Sequence, residues 1–260
     1  KENFSPNYPG AVSLFVNDTL KLSSYRKHIK VYGNTSFKKK FSKNYKNIKL
    51  KKLFFGSQSE NYMDEFIKIE KSSPSDIIEI HNRPHYLKYL INEGVKSKYV
   101  LYFHNDPLTM TGSKSLSERK YLVDICEKIV FNSLWSKKRF LEKVPSGALS
   151  TDKLIVIFQS ASKQKINLNK KKKWITFVGK LNRSKGYDIF GSSVVKILNK
   201  YKDWQAIVIG DEHRDKITFN HTRLKNLGFL EHKKVINIFK KTSIAVACSR
   251  WNEPFGRTSL

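Results

Sequence analysis

The stretch WITFVGKLNRSKGYDIF at residues 174–190 joins an apolar, β-rich run to a basic loop and then to the start of a helix. The apolar run ends at Gly179, and the helical pattern begins near Gly186. Loops at the carboxyl ends of parallel strands bind ligands in open α/β sheets, and the amino terminus of a helix favours an anion. The stretch predicts a strand–loop–helix unit with an anion site, and an ordinary turn with solvated lysines is the alternative.

Short apolar runs alternate with helical patterns on both sides of this stretch. The pattern predicts strands at residues 29–32, 48–55, 77–80, 99–103, 129–132, 154–158, 175–178, 206–209 and 244–247. It predicts helices at residues 12–25, 62–70, 116–128, 136–143, 189–201 and 233–241. Several strands are continuous Val, Ile and Phe runs, which is typical of sheets covered on both faces. Strands that alternate with helices indicate an α/β chain with parallel sheets.

A polar and basic segment, SASKQKINLNKKKK at residues 160–173, lacks apolar periodicity and ends directly at a strand. Such a segment is typical of a linker between domains. We therefore expect a first domain at residues 1–160, a linker at 161–173 and a second domain at 174–260. A long surface loop within one domain is the alternative.

The formal charge of +28, from 50 Lys and Arg against 22 Asp and Glu, is extreme for 260 residues. A field of that sign attracts nucleic acid, an anionic membrane surface or an anionic substrate. The lysines are scattered, so the charge alone does not choose among these partners. The sequence has no recognisable nucleic-acid-binding module. We therefore do not expect nucleic acid as a partner, although a nucleic-acid-binding protein remains the runner-up.

The two cysteines and the hydropathy pattern narrow the class of protein further. Cys126 and Cys248 each lie in an apolar run without CxxC or metal-ligand spacing, which predicts two buried thiols in a reducing compartment. No run of eighteen apolar residues occurs, so we expect no membrane span. A cytoplasmic location is the default expectation.

A second stretch, IAVACSRWNEPFGRTSL at residues 244–260, also follows an apolar strand with a polar loop. Pro254 and Gly256 shape a tight turn, and a glycine lets backbone amides approach a ligand closely. Glu253 offers a carboxylate to sugar hydroxyls, which donate hydrogen bonds to it. A surface pair of glutamate and arginine is the alternative.

The segments GKLNRSKGYD and SRWNEPFGRTSL together resemble the two donor-site signatures of glycosyltransferase family 4. Members of that family have the GT-B fold, in which two Rossmann-like domains with parallel sheets face a central cleft. Between these two signatures, the segments WQAIVIGDEH, LKNLGFL and SIAVACS occur in the order that the resemblance implies. The resemblance also implies a chain cut at both ends, with an incomplete second domain.

The resemblance implies a role for each residue that matches a family motif. Lys180, where the family more often has Arg, and Lys185 would hold the donor diphosphate and stabilise the leaving nucleotide. Glu253 would lie near the donor sugar, and His104, which ends YVLYFH, would approach the reaction centre. The catalytic residues implied are His104, Lys185 and Glu253. The nucleotide-sugar-binding residues implied are Gly10, Lys180, Arg183, Lys185, Glu253, Phe255, Gly256 and Arg257. For His81, which also ends a strand, functional and structural roles are equally open.

The activity that the resemblance implies is that of a retaining glycosyltransferase of the hexosyltransferase type. It would move a sugar from a nucleotide-diphosphate donor to a saccharide or lipid-linked acceptor, in the synthesis of cell-envelope polysaccharide or lipopolysaccharide. No DxD motif is present, so we expect a metal-independent enzyme without a cofactor, in which the nucleotide-sugar is a substrate. Attachment to the anionic inner face of the membrane is compatible with this activity. A sugar-nucleotide epimerase of the same fold is a further alternative.

Overall fold

Two compact units make up the chain, and the structure, a computed structural model, describes residues 3–50 and 57–260. The first unit is built mainly from Gly10–Gln159. The second comprises Ser160–Leu260 together with the short segment Ser5–Pro9, which we had expected in the first domain. The expected linker is also shorter than 161–173, because a strand already begins at Lys172.

The first unit contains six strands and five α-helices within the part of it that the structure describes. In chain order they are α1 (Ala11–Leu22), β1 (Val31–Gly33), β2 (Tyr45–Asn47), α2 (Gln58–Ser72), β3 (Ile77–His81), α3 (Tyr86–Asn92), β4 (Lys98–Phe103), α4 (Leu116–Ile125), β5 (Lys128–Phe131), α5 (Leu134–Phe140) and β6 (Leu154–Val156). Strands β3 to β6 form one parallel sheet in sequence order, and β1 pairs with β2 in parallel. Leu101, Ile129 and Phe131 are fully buried at the centre of the sheet, which fixes the core.

Two helices of the first unit begin at capping boxes. The Ser57 hydroxyl accepts the Glu60 N–H at 3.1 Å, and the Glu60 carboxylate accepts the Ser57 N–H at 2.9 Å. Ser115 and Glu118 repeat the arrangement at α4. Because each box satisfies two otherwise unpaired donors, it defines the first residue of its helix. The apolar periodicity had predicted that this helix begins at residue 62. The capping box explains why α2 begins earlier, at Gln58.

The second unit is a parallel α/β unit of four strands and two α-helices. Its elements are β7 (Lys172–Val178), α6 (Tyr187–Lys200), β8 (Gln205–Ile209), β9 (Leu224–Asn226), α7 (His232–Phe239) and β10 (Thr242–Val246). The strand order is β10-β7-β8-β9, and every pair is parallel. Phe177 and Val208 from the sheet pack against Tyr187 and Leu198 from α6. This order makes β7 and β10 neighbours, although two strands lie between them in the sequence.

The α/β class with parallel sheets, predicted from the sequence, is confirmed. The predicted strand at 48–55 is wrong for residues 48–50, which form no strand, and residues 51–55 lie outside the described part of the chain. Cys126 is buried as expected, whereas Cys248 is only half-buried. Over the described ranges, no helix combines the length and the apolar character needed to cross a bilayer.

Candidate functional site

The loops that follow β7 and β10 are held together at the carboxyl ends of these two neighbouring strands. The Arg250 N–H donates to the Ser184 carbonyl at 2.9 Å. The Cys248 thiol donates to the Gly186 carbonyl at 3.2 Å. The two sequence stretches, 174–190 and 244–260, therefore meet at the sheet edge where parallel α/β sheets bind ligands. We call this contact the loop joint and define it by the loops at residues 179–186 and 247–257.

Gly186 allows the backbones of the two loops to approach each other closely at the loop joint. Its φ of +72° lies in the left-handed region, and a Cβ at this position would lie 1.9 Å from the Cys248 carbonyl oxygen. Only glycine combines this backbone conformation with so close an approach. Directly before it, the Asn182 side-chain oxygen accepts the Lys185 N–H at 3.0 Å and orders the short turn Arg183–Lys185. The backbone of the first loop is therefore fixed on both sides of Lys185.

Lys185 and Glu253 form an ion pair across the loop joint. The Ser249 hydroxyl donates to the same carboxylate oxygen of Glu253 at 2.8 Å, and the Lys185 ammonium lies 5.3 Å from the centre of the Trp251 ring. The Lys185 and Glu253 side chains are 28% and 31% exposed, so a solute can reach both. Burial raises the pKa of Glu253, but the hydrogen bonds from Lys185 and Ser249 outweigh that effect and lower its pKa overall. Glu253 is therefore an ionised carboxylate at neutral pH.

A second ion pair lies beside the first. The Arg250 guanidinium contacts the Asp188 carboxylate at 2.7 Å. Asp188 is in the first turn of α6, where a negative charge also interacts favourably with the helix dipole. Sequence reasoning missed Asp188, Ser249 and Trp251 at this site. Asp188 could have been found from its place as an acidic residue two positions after Gly186, in the first turn of the helix.

The remaining residues predicted in the second unit belong to the same two loops. Lys180 and Arg183 are exposed in the first loop, so this loop presents three cations including Lys185. In the second loop, Phe255 and Gly256 are half-buried and Arg257 begins a short 3₁₀ helix. Gly10 belongs to the first unit, where it precedes α1 and its carbonyl accepts the Leu14 N–H at 3.1 Å. The structure thus brings seven of the predicted residues to the loop joint and places Gly10 and His104 in the other unit.

His104 lies just beyond the end of β4, where its backbone and its side chain are both anchored. Its N–H donates to the Asn82 side-chain oxygen at 2.8 Å, and its carbonyl accepts from the Asn132 amide at 2.9 Å. Its ring contacts His81 through Nε2 at 3.0 Å and Gln159 through Nδ1 at 3.1 Å. The side chain is buried and held in one orientation.

The ring contacts of His104 with His81 and Gln159 were not predicted from the sequence. His81 stacks on Tyr102 at 4.7 Å between ring centres, and the Phe15 ring lies 4.9 Å from the His104 ring. Burial lowers the pKa of His81 to about 4, so its ring is neutral at physiological pH. The sequence placed His81 and His104 at strand ends, but only the register of β3 against β4 brings their rings together.

Within residues 3–50 and 57–260, no group of three or more His, Cys, Asp or Glu side chains is arranged to hold a metal ion.

Comparison with known protein families and sequences finds one family model and two curated relatives similar to parts of this chain. Residues 158–260 match the family described as glycosyl transferases group 1. Over 228 residues the chain is 23% identical to the candidate glycosyltransferase YtcC of Bacillus subtilis, and over 227 residues it is 21% identical to spore coat protein SA of the same organism. These matches cover 77% and 76% of this chain but only 56% and 60% of the two relatives. The chain therefore spans little more than half the length of the curated relatives it matches.

Solved structures match almost the whole chain. Anabaena HepE in complex with UDP-glucose matches with a TM-score of 0.70 at 15% identity, over 99% of this chain and 74% of HepE. The chain has the GT-B fold. The lipopolysaccharide outer core galactosyltransferase WaaB, in its apo form, matches with a TM-score of 0.62 at 14% identity, over 99% of this chain and 74% of WaaB. At 15% and 14% sequence identity, this structural likeness shows the fold alone.

Proposed function

We propose that this chain is part of a retaining glycosyltransferase that transfers a sugar from a nucleotide diphosphate to a saccharide or lipid-linked acceptor. The observation that carries the proposal is the ion pair of Lys185 and Glu253 at the loop joint. It combines a cation suited to a diphosphate with a carboxylate suited to sugar hydroxyls. The match of residues 158–260 to glycosyl transferases group 1 supports the same reading.

Donor binding exchanges the partners of the ion pair. The diphosphate takes Lys185, together with Lys180 and Arg183 of the same loop, and the Glu253 carboxylate turns to hydroxyls of the sugar. A charge-assisted hydrogen bond contributes roughly 1.5–3 kcal/mol. The same cations stabilise the charge that develops on the leaving nucleotide, which is commonly the largest electrostatic contribution to catalysis. Lys180 acts as a point charge and lacks the planar fork of an arginine.

The proposal also includes three more specific statements. The enzyme belongs to glycosyltransferase family 4, it uses a hexosyl donor, and it needs neither a metal ion nor a cofactor. The cations at the loop joint support metal-independent transfer, because they supply the positive charge that a metal ion would otherwise provide. The fold shared with a UDP-glucose complex of HepE and with the galactosyltransferase WaaB supports a UDP-hexose donor. WaaB also supports a role in cell-envelope polysaccharide or lipopolysaccharide synthesis. The prediction that the chain is cut at both ends stays a prediction.

We further propose a cytoplasmic protein that attaches peripherally to the anionic inner face of the membrane. Residues 19–59 contain twelve Lys and Arg and no Asp or Glu. Leu22 and Tyr25, 88% and 72% exposed, lie within this segment, so basic and apolar side chains are available together. Co-sedimentation with phosphatidylglycerol vesicles but not with phosphatidylcholine vesicles is expected, and Leu22→Ser with Tyr25→Ser should weaken it. Tight, salt-sensitive duplex DNA binding without vesicle binding would favour the nucleic-acid alternative.

Calorimetric titration of the full-length enzyme with UDP-, GDP- and ADP-sugars tests donor binding. Lys185→Met should weaken the Kd for the preferred donor about 10- to 100-fold, which corresponds to one charge-assisted contact. Lys173→Met is the matched control, because Lys173 also forms an ion pair, with Asp203, in the second unit but away from the loop joint. Equal donor affinity in the two variants would refute the assignment. Incubation with the donor alone separates a transferase from an epimerase, since only the epimerase converts the donor sugar.

A further inference from the structure

Four polar side chains of the first unit form a continuous line. The Glu79 carboxylate lies 3.8 Å from His81 Nε2, and His81 Nδ1 lies 3.0 Å from His104 Nε2. On the far side of His104, Nδ1 lies 3.1 Å from the Gln159 amide nitrogen. A neutral imidazole has one N–H and one acceptor nitrogen, so each contact in such a line determines the next.

The Gln159 amide nitrogen sets the direction of the line. It can only donate, so His104 Nδ1 accepts and the ring hydrogen of His104 lies on Nε2. That hydrogen is donated to His81 Nδ1, which leaves the hydrogen of His81 on Nε2. The His81 N–H therefore lies on the side of the Glu79 carboxylate, as favourable electrostatics requires. The opposite direction would turn the His81 lone pair towards that carboxylate.

Packing keeps both rings in this arrangement. His81 stacks on Tyr102, and the edge of Phe15 lies against His104. The contacts of His104 on both ring nitrogens lie inside the unit, where His104 is buried. The outer end of the line is more open, because the His81 side chain is 18% exposed and the Glu79 side chain is 54% exposed.

The outer end has the chemistry of a hydroxyl-binding site. The 3.8 Å between His81 Nε2 and the Glu79 carboxylate exceeds hydrogen-bond length. A hydroxyl placed against both groups would accept from the His81 N–H and donate to the Glu79 carboxylate. Phosphate does not suit this pair, because it repels the carboxylate and lacks a hydrogen to donate when fully ionised.

We propose that Glu79 and His81 bind a sugar hydroxyl, and that Gln159 is a positioning residue that sets the direction of the His81 N–H through His104. The inference rests on the proposed function and deepens it, because it moves direct contact with the sugar from His104 to His81. His104 then acts as the link between Gln159 and His81.

Long-range ¹⁵N–¹H spectra of this chain, labelled at histidine, test the direction of the line without any activity. Both His81 and His104 should carry their hydrogen on Nε2. Gln159→Glu should reverse both, because a carboxylate accepts where the amide donated, whereas Gln159→Met should weaken the preference and leave only the contribution of Glu79. A hydrogen on His81 Nδ1 in the unchanged chain, or an unchanged His81 signal in Gln159→Glu, would overturn the proposal.

Kinetics of the full-length enzyme test the hydroxyl site. His81→Gln keeps an amide N–H and should retain most of the activity, whereas His81→Leu should lower kcat/KM about 10-fold or more. Nucleotide affinity, measured with UDP alone, should be the same in both variants. Equal rates for His81→Gln and His81→Leu would overturn the hydroxyl site. Absence of any nucleotide-sugar binding in the unchanged enzyme would instead refute the proposed function, and the spectra would still report the direction of the line.

Discussion

Replacing Gly186 by alanine tests whether the loop joint is as rigid as its geometry indicates. An added Cβ would lie 1.9 Å from the Cys248 carbonyl oxygen, which is far inside contact distance. A left-handed conformation costs an alanine about 1–2 kcal/mol, and forcing an extra carbon into a packed site costs about 1–3 kcal/mol more. We therefore expect Gly186→Ala to reduce the free energy of unfolding by roughly 2–5 kcal/mol.

Gly228→Ala is the matched control in the same unit. Gly228 also has a left-handed φ, of +63°, but no atom lies within 4 Å of its added Cβ, so only the conformational cost remains. Urea unfolding followed by tryptophan fluorescence measures the difference, because Trp174, Trp204 and Trp251 all belong to the second unit. Gly186→Ala should be less stable than Gly228→Ala by about 1–3 kcal/mol. Equal unfolding midpoints would mean that the two loops separate freely, and the rigid joint would be refuted.

Two further predictions concern titration. Burial lowers the pKa of His81 from 6.5 to about 4. Between these two pH values the His81 ring takes up a proton in the unfolded chain but not in the folded chain. The free energy of unfolding should therefore fall by about 2 kcal/mol from pH 7 to pH 5. Urea unfolding of His81→Gln should lack this loss while the exposed-site control His213→Gln keeps it, and equal losses would contradict the assignment. Burial raises the pKa of Cys126 to about 12, so iodoacetamide at pH 8 should label Cys248 well before Cys126, as judged by peptide mass mapping. Equal labelling rates in the native protein would show that Cys126 is accessible.

The parallel sheets could be predicted because several strands contain continuous apolar runs rich in Val, Ile and Phe. The exceptions show the limit of that signal. Strands β2 and β9 have the sequences YKN and LKN, and three mostly polar residues carry no apolar pattern. Both are defined by their pairing with a neighbouring strand, which is a tertiary interaction that the local sequence does not contain.

The candidate site was predictable to the level of its loops but not of its contacts. Because Lys185 and Glu253 both follow strand ends, a parallel sheet was bound to bring them to one edge. That they form an ion pair depends on β7 and β10 being neighbours, which the order of the strands in the sequence does not reveal. The line from His81 through His104 to Gln159 depends on the register between strands, so it could not be deduced from residue types.

The strand order of the second unit has a consequence for the way the protein is made. Lys185 and Glu253 are 68 residues apart, and the strand that carries the second loop is the last one in the unit. At a synthesis rate of about 5–20 residues per second, Lys185 leaves the ribosome roughly 3 to 14 seconds before Glu253. During that interval the nascent chain can already pair β7, β8 and β9, yet it holds only Lys185 of the Lys185–Glu253 ion pair.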